Sequence, residues 1–243
     1  MIILKIPFDL GIIDKERRGT KLAPSVLARE GIEIPVSEDL TELNESIHSA
    51  AISALEKDKL LTIGGDHSIT FSLASAFKEL YPNSCLVILD AHSDCEDDFI
   101  PPSHEGVTRA LATTCFSPKD ILLIGYRRAR TKEEKEFIQK HKIKTIAPKD
   151  IDEQAILNFV KNYGAAYLSI DIDVFDKEDA PGTGWPEENG PKKEIIINLI
   201  KKLSKNERLK SVDLVEVSPP LDSTGKTAAL ASDLIKLFTT PKG

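Results

Sequence analysis

The chain has 243 residues, 41% hydrophobic and 29% charged, with a formal net charge of -7 and a pI near 5.4. That length suits one large α/β domain or two small ones, and the acidic balance argues against nucleic acid or an anionic membrane as partner. The opening "MIILKIPFDL" is broken by Lys5 and Asp9 before a signal h-region can form, and no apolar run approaches the ~20 residues of a membrane span.

In chain order, "IILKI" (2–6) reads as a strand and "TELNESIHSAAISALEKD" (41–58) as an amphipathic helix. The strand "LLTI" (60–63) follows, then the helix "TFSLASAFKELY" (70–81) and the strand "CLVILD" (85–90). The alternation continues through "ILLIGY" (121–126), the helix "TKEEKEFIQKH" (131–141) and the strand "IKTIA" (143–147). After the helix "DEQAILNFVKN" (152–162) come the strand "AYLSIDID" (166–173) and the helix "KEIIINLIKKLSK" (193–205). "SVDLVEV" (211–217) and "TAALASDLIKLF" (227–238) close the pattern as strand and helix. Several strands are apolar on both faces, as buried parallel strands are. Strand and helix in turn mean βαβ units and a mostly parallel sheet covered by helices, read as one α/β domain over residues 1–243. The Pro- and Gly-rich "APGTGWPEENGP" (180–191) is a long connection of the type that often carries function. Cys85, Cys95 and Cys115 are odd in number and lack CxxC spacing, which fits free thiols in a reducing cytoplasm. Cys95 reads as a packing residue, since the acids around it would raise its thiol pKa.

Parallel sheets bind ligands beyond the carboxyl ends of their strands, and the ligand-type residues all fall there. "LLTIGGDHS" brings Gly64, Gly65, Asp66 and His67; "CLVILDAHSD" ends in Asp90, His92 and Asp94. "AYLSIDIDVFD" delivers Asp171 and Asp173, and "SVDLVEVSPP" delivers Glu216. One aspartate at a strand end is often only the cap of the next helix. Four clusters on one edge are hard to explain that way. On an extended segment, Asp90, His92 and Asp94 would share one face through the two-residue alternation. Two histidines and four aspartates, with no thiolate, suit Mn²⁺ better than structural zinc. Six side chains are too many for one ion with an open position and suffice for two ions bridged by carboxylates. Four aspartates roughly cancel two divalent cations, so such a site tolerates a cationic substrate and repels a phosphate. His48 and His141, on amphipathic and Lys-rich helices, have ordinary structural readings.

Taken together, "GGDHS" (64–68), "DAHSD" (90–94), "SIDIDVFD" (169–176) with "APGTG", and "EVSPPLD" (216–222) resemble the ureohydrolase family of arginase, agmatinase and their relatives. The resemblance covers nearly the whole chain. It implies a three-layer αβα, arginase-like fold with two Mn²⁺ per subunit, assembled as a homotrimer or homohexamer. His67 and Asp94 would bind one ion, His92 and Asp173 the other, and Asp90 and Asp171 would bridge them. "SHEGVTRAL" resembles the segment that holds the family's substrate-side histidine, here His104. The chemistry implied is hydrolysis of a small cationic guanidino compound to urea and an amine. Two ions lower the pKa of a shared water enough to supply hydroxide at neutral pH. Asp94 would accept and pass on its proton, and His104 would shuttle a proton to the leaving amine. Glu216 would hold the guanidinium by charge-assisted hydrogen bonds.

After Asp94 the chain continues with Glu96, Asp97 and Asp98, where the family's arginine-binding members have asparagine. Acids there would repel a carboxylate tail and attract an amine, which favours agmatine or an aminopropyl derivative over arginine. Trp185 stands where the family pattern has threonine after "GTG", and an indole there would reshape the pocket or point outward in a shifted loop. Arginase or another guanidino-acid ureohydrolase is the alternative. A non-catalytic relative would normally have lost ligands, and a deacetylase-type hydrolase should not have both "GGDH" and "DAHSD".

Overall fold

Strict alternation along buried strands sends successive side chains to opposite helix layers, and here it does so along the inner strands of the sheet. The computed structural model describes residues 1–97 and 99–240. Its regular elements begin with β1 (Ile2–Lys5), α1 (Ala23–Leu27), β2 (Ile32–Glu33), α2 (Leu40–Leu55), β3 (Leu60–Ile63), α3 (Thr70–Leu80) and β4 (Ser84–Leu89). Next come α4 (Val107–Thr114), β5 (Ile121–Ile124), α5 (Lys132–His141), β6 (Lys144–Ile146) and α6 (Glu153–Lys161). The last are β7 (Ala165–Asp171), α7 (Lys193–Ser204), β8 (Leu209–Val215) and α8 (Lys226–Thr239).

The strands form one 8-stranded sheet in the order β2-β1-β3-β8-β7-β4-β5-β6, and every pairing is parallel. Parallel neighbours need long crossovers, and helices supply them on both faces. Leu86, Ile88, Leu123 and Tyr167 pack under α2 to α5, against Leu43, Ile47, Leu73, Phe77, Leu111 and Phe137. The alternate residues Val87, Leu89, Leu122, Leu168 and Ile170 face α6 to α8, against Ile156, Leu199, Leu203 and Leu234. Each such side chain contributes on the order of 1.5–3 kcal/mol when taken out of water.

The long apolar strands and six amphipathic helices stand where the sequence pattern puts them. Their ends are set locally: Asp39 accepts from the amides of Thr41 and Glu42 at the start of α2, and Thr131 and Glu134 form a capping box on α5. Three short elements carry no such signal. β2 is two exposed residues on the sheet edge, α1 has five residues, and α4 follows Gly106, which offers no side-chain cap. The sheet is wholly parallel, where the sequence indicated mostly parallel. Among the described residues, no helix is long and apolar enough to cross a membrane.

Candidate metal centre and active site

β3, β8, β7 and β4 are consecutive neighbours, so their carboxyl ends lie side by side and deliver four segments to one place. After β3 the chain turns at Gly65, where a Cβ would sit 1.6 Å from the Phe8 carbonyl oxygen; only glycine fits. That turn aims His67, and the Asp66 carboxylate accepts from the Ser68 amide (3.0 Å) to hold it. β7 ends in Asp171, whose carboxylate accepts from the Asp173 amide (2.9 Å) and bends the chain so that both acids face inward. Glu216 follows β8 with φ 63°, and its Oε1 accepts from the His67 amide (2.8 Å).

The segment after β4 differs from the expected extended run. The strand stops at Leu89, the Asp90 carboxylate accepts from the His92 amide (2.6 Å), and Asp94 has φ 46°. Asp90, His92 and Asp94 therefore converge through an Asx turn and a left-handed residue, not through strand pleating. Left-handed backbone at a residue other than glycine costs on the order of 1–3 kcal/mol and persists where the surroundings over-determine it.

His67, Asp90, His92, Asp94, Asp171, Asp173, His104 and Glu216 are all buried. His67 Nδ1 lies 2.9 Å from Asp94 Oδ2, 3.3 Å from Asp90 Oδ2 and 3.4 Å from Asp171 Oδ2. His92 Nδ1 lies 2.7 Å from Asp173 Oδ2 and 3.7 Å from Asp90 Oδ1. Two groups of facing ligand atoms result, His67–Asp90–Asp171 and Asp90–His92–Asp173, with Asp90 in both. Their electrostatics call for cations. Burial, then Asp94 and Asp173, push the Asp90 pKa up to about 7; burial, then Asp173 and Asp90, push Asp171 well up. His67 Nδ1 and Asp90 Oδ2 are buried with no hydrogen-bond partner. Hard oxygens, two imidazole nitrogens and crowded carboxylates fit a pair of divalent cations.

The support behind these groups is equally specific. The Ser169 hydroxyl donates to Asp213 (2.7 Å), so its oxygen accepts from Nε2 of His67 (3.0 Å) and turns Nδ1 toward the acids. Asp213 also accepts from Thr70 (2.9 Å) and Tyr167. His92 Nε2 meets Glu187 Oε1 at 3.3 Å, which likewise directs its Nδ1 inward. The Arg127 guanidinium donates to the carbonyls of Gly125, Asp173, Val174, Phe175 and Glu188, pinning the loop after β7 to the loop that carries Glu187. None of Ser169, Asp213, Glu187 or Arg127 was singled out from the sequence. Asp213 and Ser169, polar residues inside otherwise apolar strands, were the available signal.

A pH dependence follows for the chelated protein. Asp90, with its folded pKa raised to about 7, holds its proton more tightly folded than unfolded, so its contribution falls as pH rises from about 4 to about 7. Burial alone would lower His92, but Asp173 raises it to about 9, and that contribution is present below about 6.5 and lost as pH rises through 9. Asp173 is depressed; burial opposes the shift and His92 drives it, so its contribution is complete across this range. The chelated chain should therefore lose stability between pH 5.5 and 8.5. Added divalent metal should raise the melting temperature more at pH 8.5, by a few degrees or more, at ~2–4 °C per kcal/mol. Calorimetric melts at both pH values check this, and a gap that stays flat would remove the cluster as the metal site.

His104 sits beside the cluster, its Nδ1 3.4 Å from Glu216 Oε1. Its ring packs on Trp185 (centroids 4.6 Å apart, tilted 36°), so Trp185 does reach the site. Arg17 and Arg130 lie over the same indole at 5.0 and 5.5 Å, and Arg130 Nη1 donates to Asp94 Oδ1 (3.3 Å). A cavity of about 780 Å³ opens beside Trp185 and Glu187. Glu96 is not brought to it. The left-handed Asp94 redirects the chain, the Glu96 amide donates to the Glu105 carbonyl (3.0 Å), and Asp97 pairs with Arg109 of α4 (2.8 Å). Glu96 and Asp97 thus line a separate hollow with Phe99, Ile100 and Phe137; Asp98 lies outside the described residues. Cys95 is buried, with its thiol pushed well up by burial and then by Asp94 and Glu134, and is a packing residue.

Residues 1–239 match the family model described as "Arginase family". The chain is 29% identical over 225 residues to an arginase from Staphylococcus aureus (strain COL), covering 83% of this chain and 74% of the relative. It is 32% identical over 185 residues to a guanidinobutyrase from Pseudomonas aeruginosa, covering 72% of this chain and 58% of the relative. The crystal structure of agmatine ureohydrolase of Thermoplasma volcanium superposes with a TM-score of 0.85 at 28% identity, covering 98% of this chain and 87% of that one.

Proposed function

The chain belongs to the arginase family, and from the geometry of its site we propose that it is a binuclear manganese ureohydrolase, cleaving a guanidino compound to urea and an amine. One observation carries this reading: Asp90 is shared by two His–Asp groups lying beside a buried carboxylate, Glu216, and a buried imidazole, His104. His67 and Asp94 would hold one ion and His92 and Asp173 the other, with Asp90 and Asp171 shared between them. Held there, two divalent ions supply a hydroxide-strength nucleophile at neutral pH. Glu216 Oε2 is buried without a hydrogen-bond partner, which suits it to receive guanidinium N–H groups. Asp94, acting within reach of His67 Nδ1, would take the proton from the attacking group, and His104 would deliver one to the leaving amine. All six ligand-type residues are present, which favours an enzyme over a non-catalytic relative. Assembly as a trimer or hexamer belongs to the same reading.

The expectation of agmatine over arginine rested on Glu96, Asp97 and Asp98 at the pocket mouth. Glu96 and Asp97 line a different hollow, so that argument loses its footing. The relatives' names, arginase, guanidinobutyrase and agmatine ureohydrolase, span both tail charges and choose neither. Urea release over a panel of guanidine compounds tests the reaction: activity should require Mn²⁺, with about two ions per subunit, and disappear on chelation. A fully active metal-free preparation would end the reading.

A further inference from the structure

On the ureohydrolase reading above, the guanidinium end of the substrate goes to Asp94 and Glu216. The cavity of about 780 Å³ adjoins that site through two of its walls, Trp185, stacked on His104, and Glu187, in contact with His92, and so is placed to take the rest of the molecule. Its volume is that of a small-molecule site. The charges on its wall are unlike those of the acidic site beside it: Arg17, Arg127, Arg128 and Lys177 stand against Glu187 and Glu188.

These cations differ in how much of their charge is engaged. Lys177 is paired with Glu188, and Arg127 is spent on backbone carbonyls, which occupy its N–H groups without cancelling its charge. Arg17 meets Asp14 through Nε (3.3 Å) and donates from Nη1 to the Gly184 carbonyl, which fixes it over the indole. Arg128 meets Glu187 only through Nε (3.3 Å), and its side chain is 62% exposed, leaving its Nη groups for a ligand. Its place is fixed by its backbone: the Arg128 amide donates to the Ala91 carbonyl (3.0 Å), between the ligands Asp90 and His92. We infer that this cavity selects guanidino substrates whose far end carries a carboxylate, with Arg128 and Arg17 as the specificity-determining contacts. The Nη1 and Nη2 groups of Arg128 can receive a carboxylate through two parallel hydrogen bonds, and Arg17, with Nε and Nη1 engaged, adds a single donor in Nη2, whereas an ammonium tail would meet like charge on the same wall. The carboxylates of Glu96 and Asp97, which would serve an ammonium, lie in another hollow.

Three guanidines of similar length test this on Mn²⁺-loaded protein at low salt: 4-guanidinobutyrate (anionic tail), butylguanidine (neutral) and agmatine (cationic). Both kcat/KM for urea release and calorimetric Kd should rank them in that order, the extremes differing by on the order of tenfold or more. Arg128→Gln and Arg17→Gln should each reduce the anion's advantage over butylguanidine by about three- to tenfold, mainly through KM, with metal content followed in the same samples. Agmatine outranking butylguanidine, or no dependence on tail charge, would overturn the inference while leaving the ureohydrolase reading intact. A preference that survives both substitutions would overturn the assignment to Arg128 and Arg17. Urea from none of the three would count against the ureohydrolase reading, and the calorimetric order would still decide the tail.

Discussion

Asp90→Ala should lose both metal ions and drop to background turnover. Asp90 is fully buried and is the one residue belonging to both His–Asp groups, with one oxygen 3.3 Å from His67 Nδ1 and the other 3.7 Å from His92 Nδ1. Removing an outer-shell partner of a metal ligand typically costs 10–100-fold, and a ligand shared by two ions should cost more, on the order of a thousandfold. Asp173→Ala, which touches one group, should retain more metal than Asp90→Ala. Burial, then Asp94 and Asp173, disfavour the Asp90 charge, but alanine also removes the acceptor of the His92 amide that shapes the turn. Asp90→Asn keeps that acceptor and removes the charge, so it should melt no lower than chelated wild type while still losing metal. Metal analysis by mass spectrometry decides: two ions and full turnover in Asp90→Ala would show that the bridge lies elsewhere.

The sheet was legible because its central strands are apolar on both faces, a pattern that survives without neighbours. Convergence of ligand residues was legible for a topological reason: in a parallel sheet every strand ends on the same edge. What the sequence did not carry was backbone direction beyond that edge. Asp94 adopts left-handed φ without being glycine, so nothing in "DAHSDCEDD" signals that Glu96 and Asp97 will leave the site. Arg127, Arg128 and Arg130 are not metal-ligand types and so stand out less, although "GYRRAR" follows β5 on the same edge and obeys the rule that found the ligands. Glu187 was hidden for another reason. It reaches His92 across 95 positions of sequence, a pairing that no local periodicity encodes.

His104→Asn should lower turnover by roughly ten- to a thousand-fold with metal content unchanged. His104 belongs to neither ligand group; its Nδ1 faces Glu216 Oε1 at 3.4 Å, and its ring lies against Trp185. Burial alone would lower its pKa, but the hydrogen bond and charge of Glu216 outweigh that and hold it above the ordinary histidine value. A histidine so placed can give its proton to a leaving amine, which departs poorly unless protonated. Because its folded pKa is raised, the acid form persists to higher pH than in a free imidazole and is lost only as pH rises through that value. Wild-type kcat should therefore carry a basic limb that asparagine, which cannot titrate, removes. Asparagine can still meet Glu216 and fill much of the space under the indole, so KM should change less than kcat. Loss of metal in His104→Asn would make the histidine a ligand instead. Unchanged kcat with an intact basic limb would assign the proton transfer to another group.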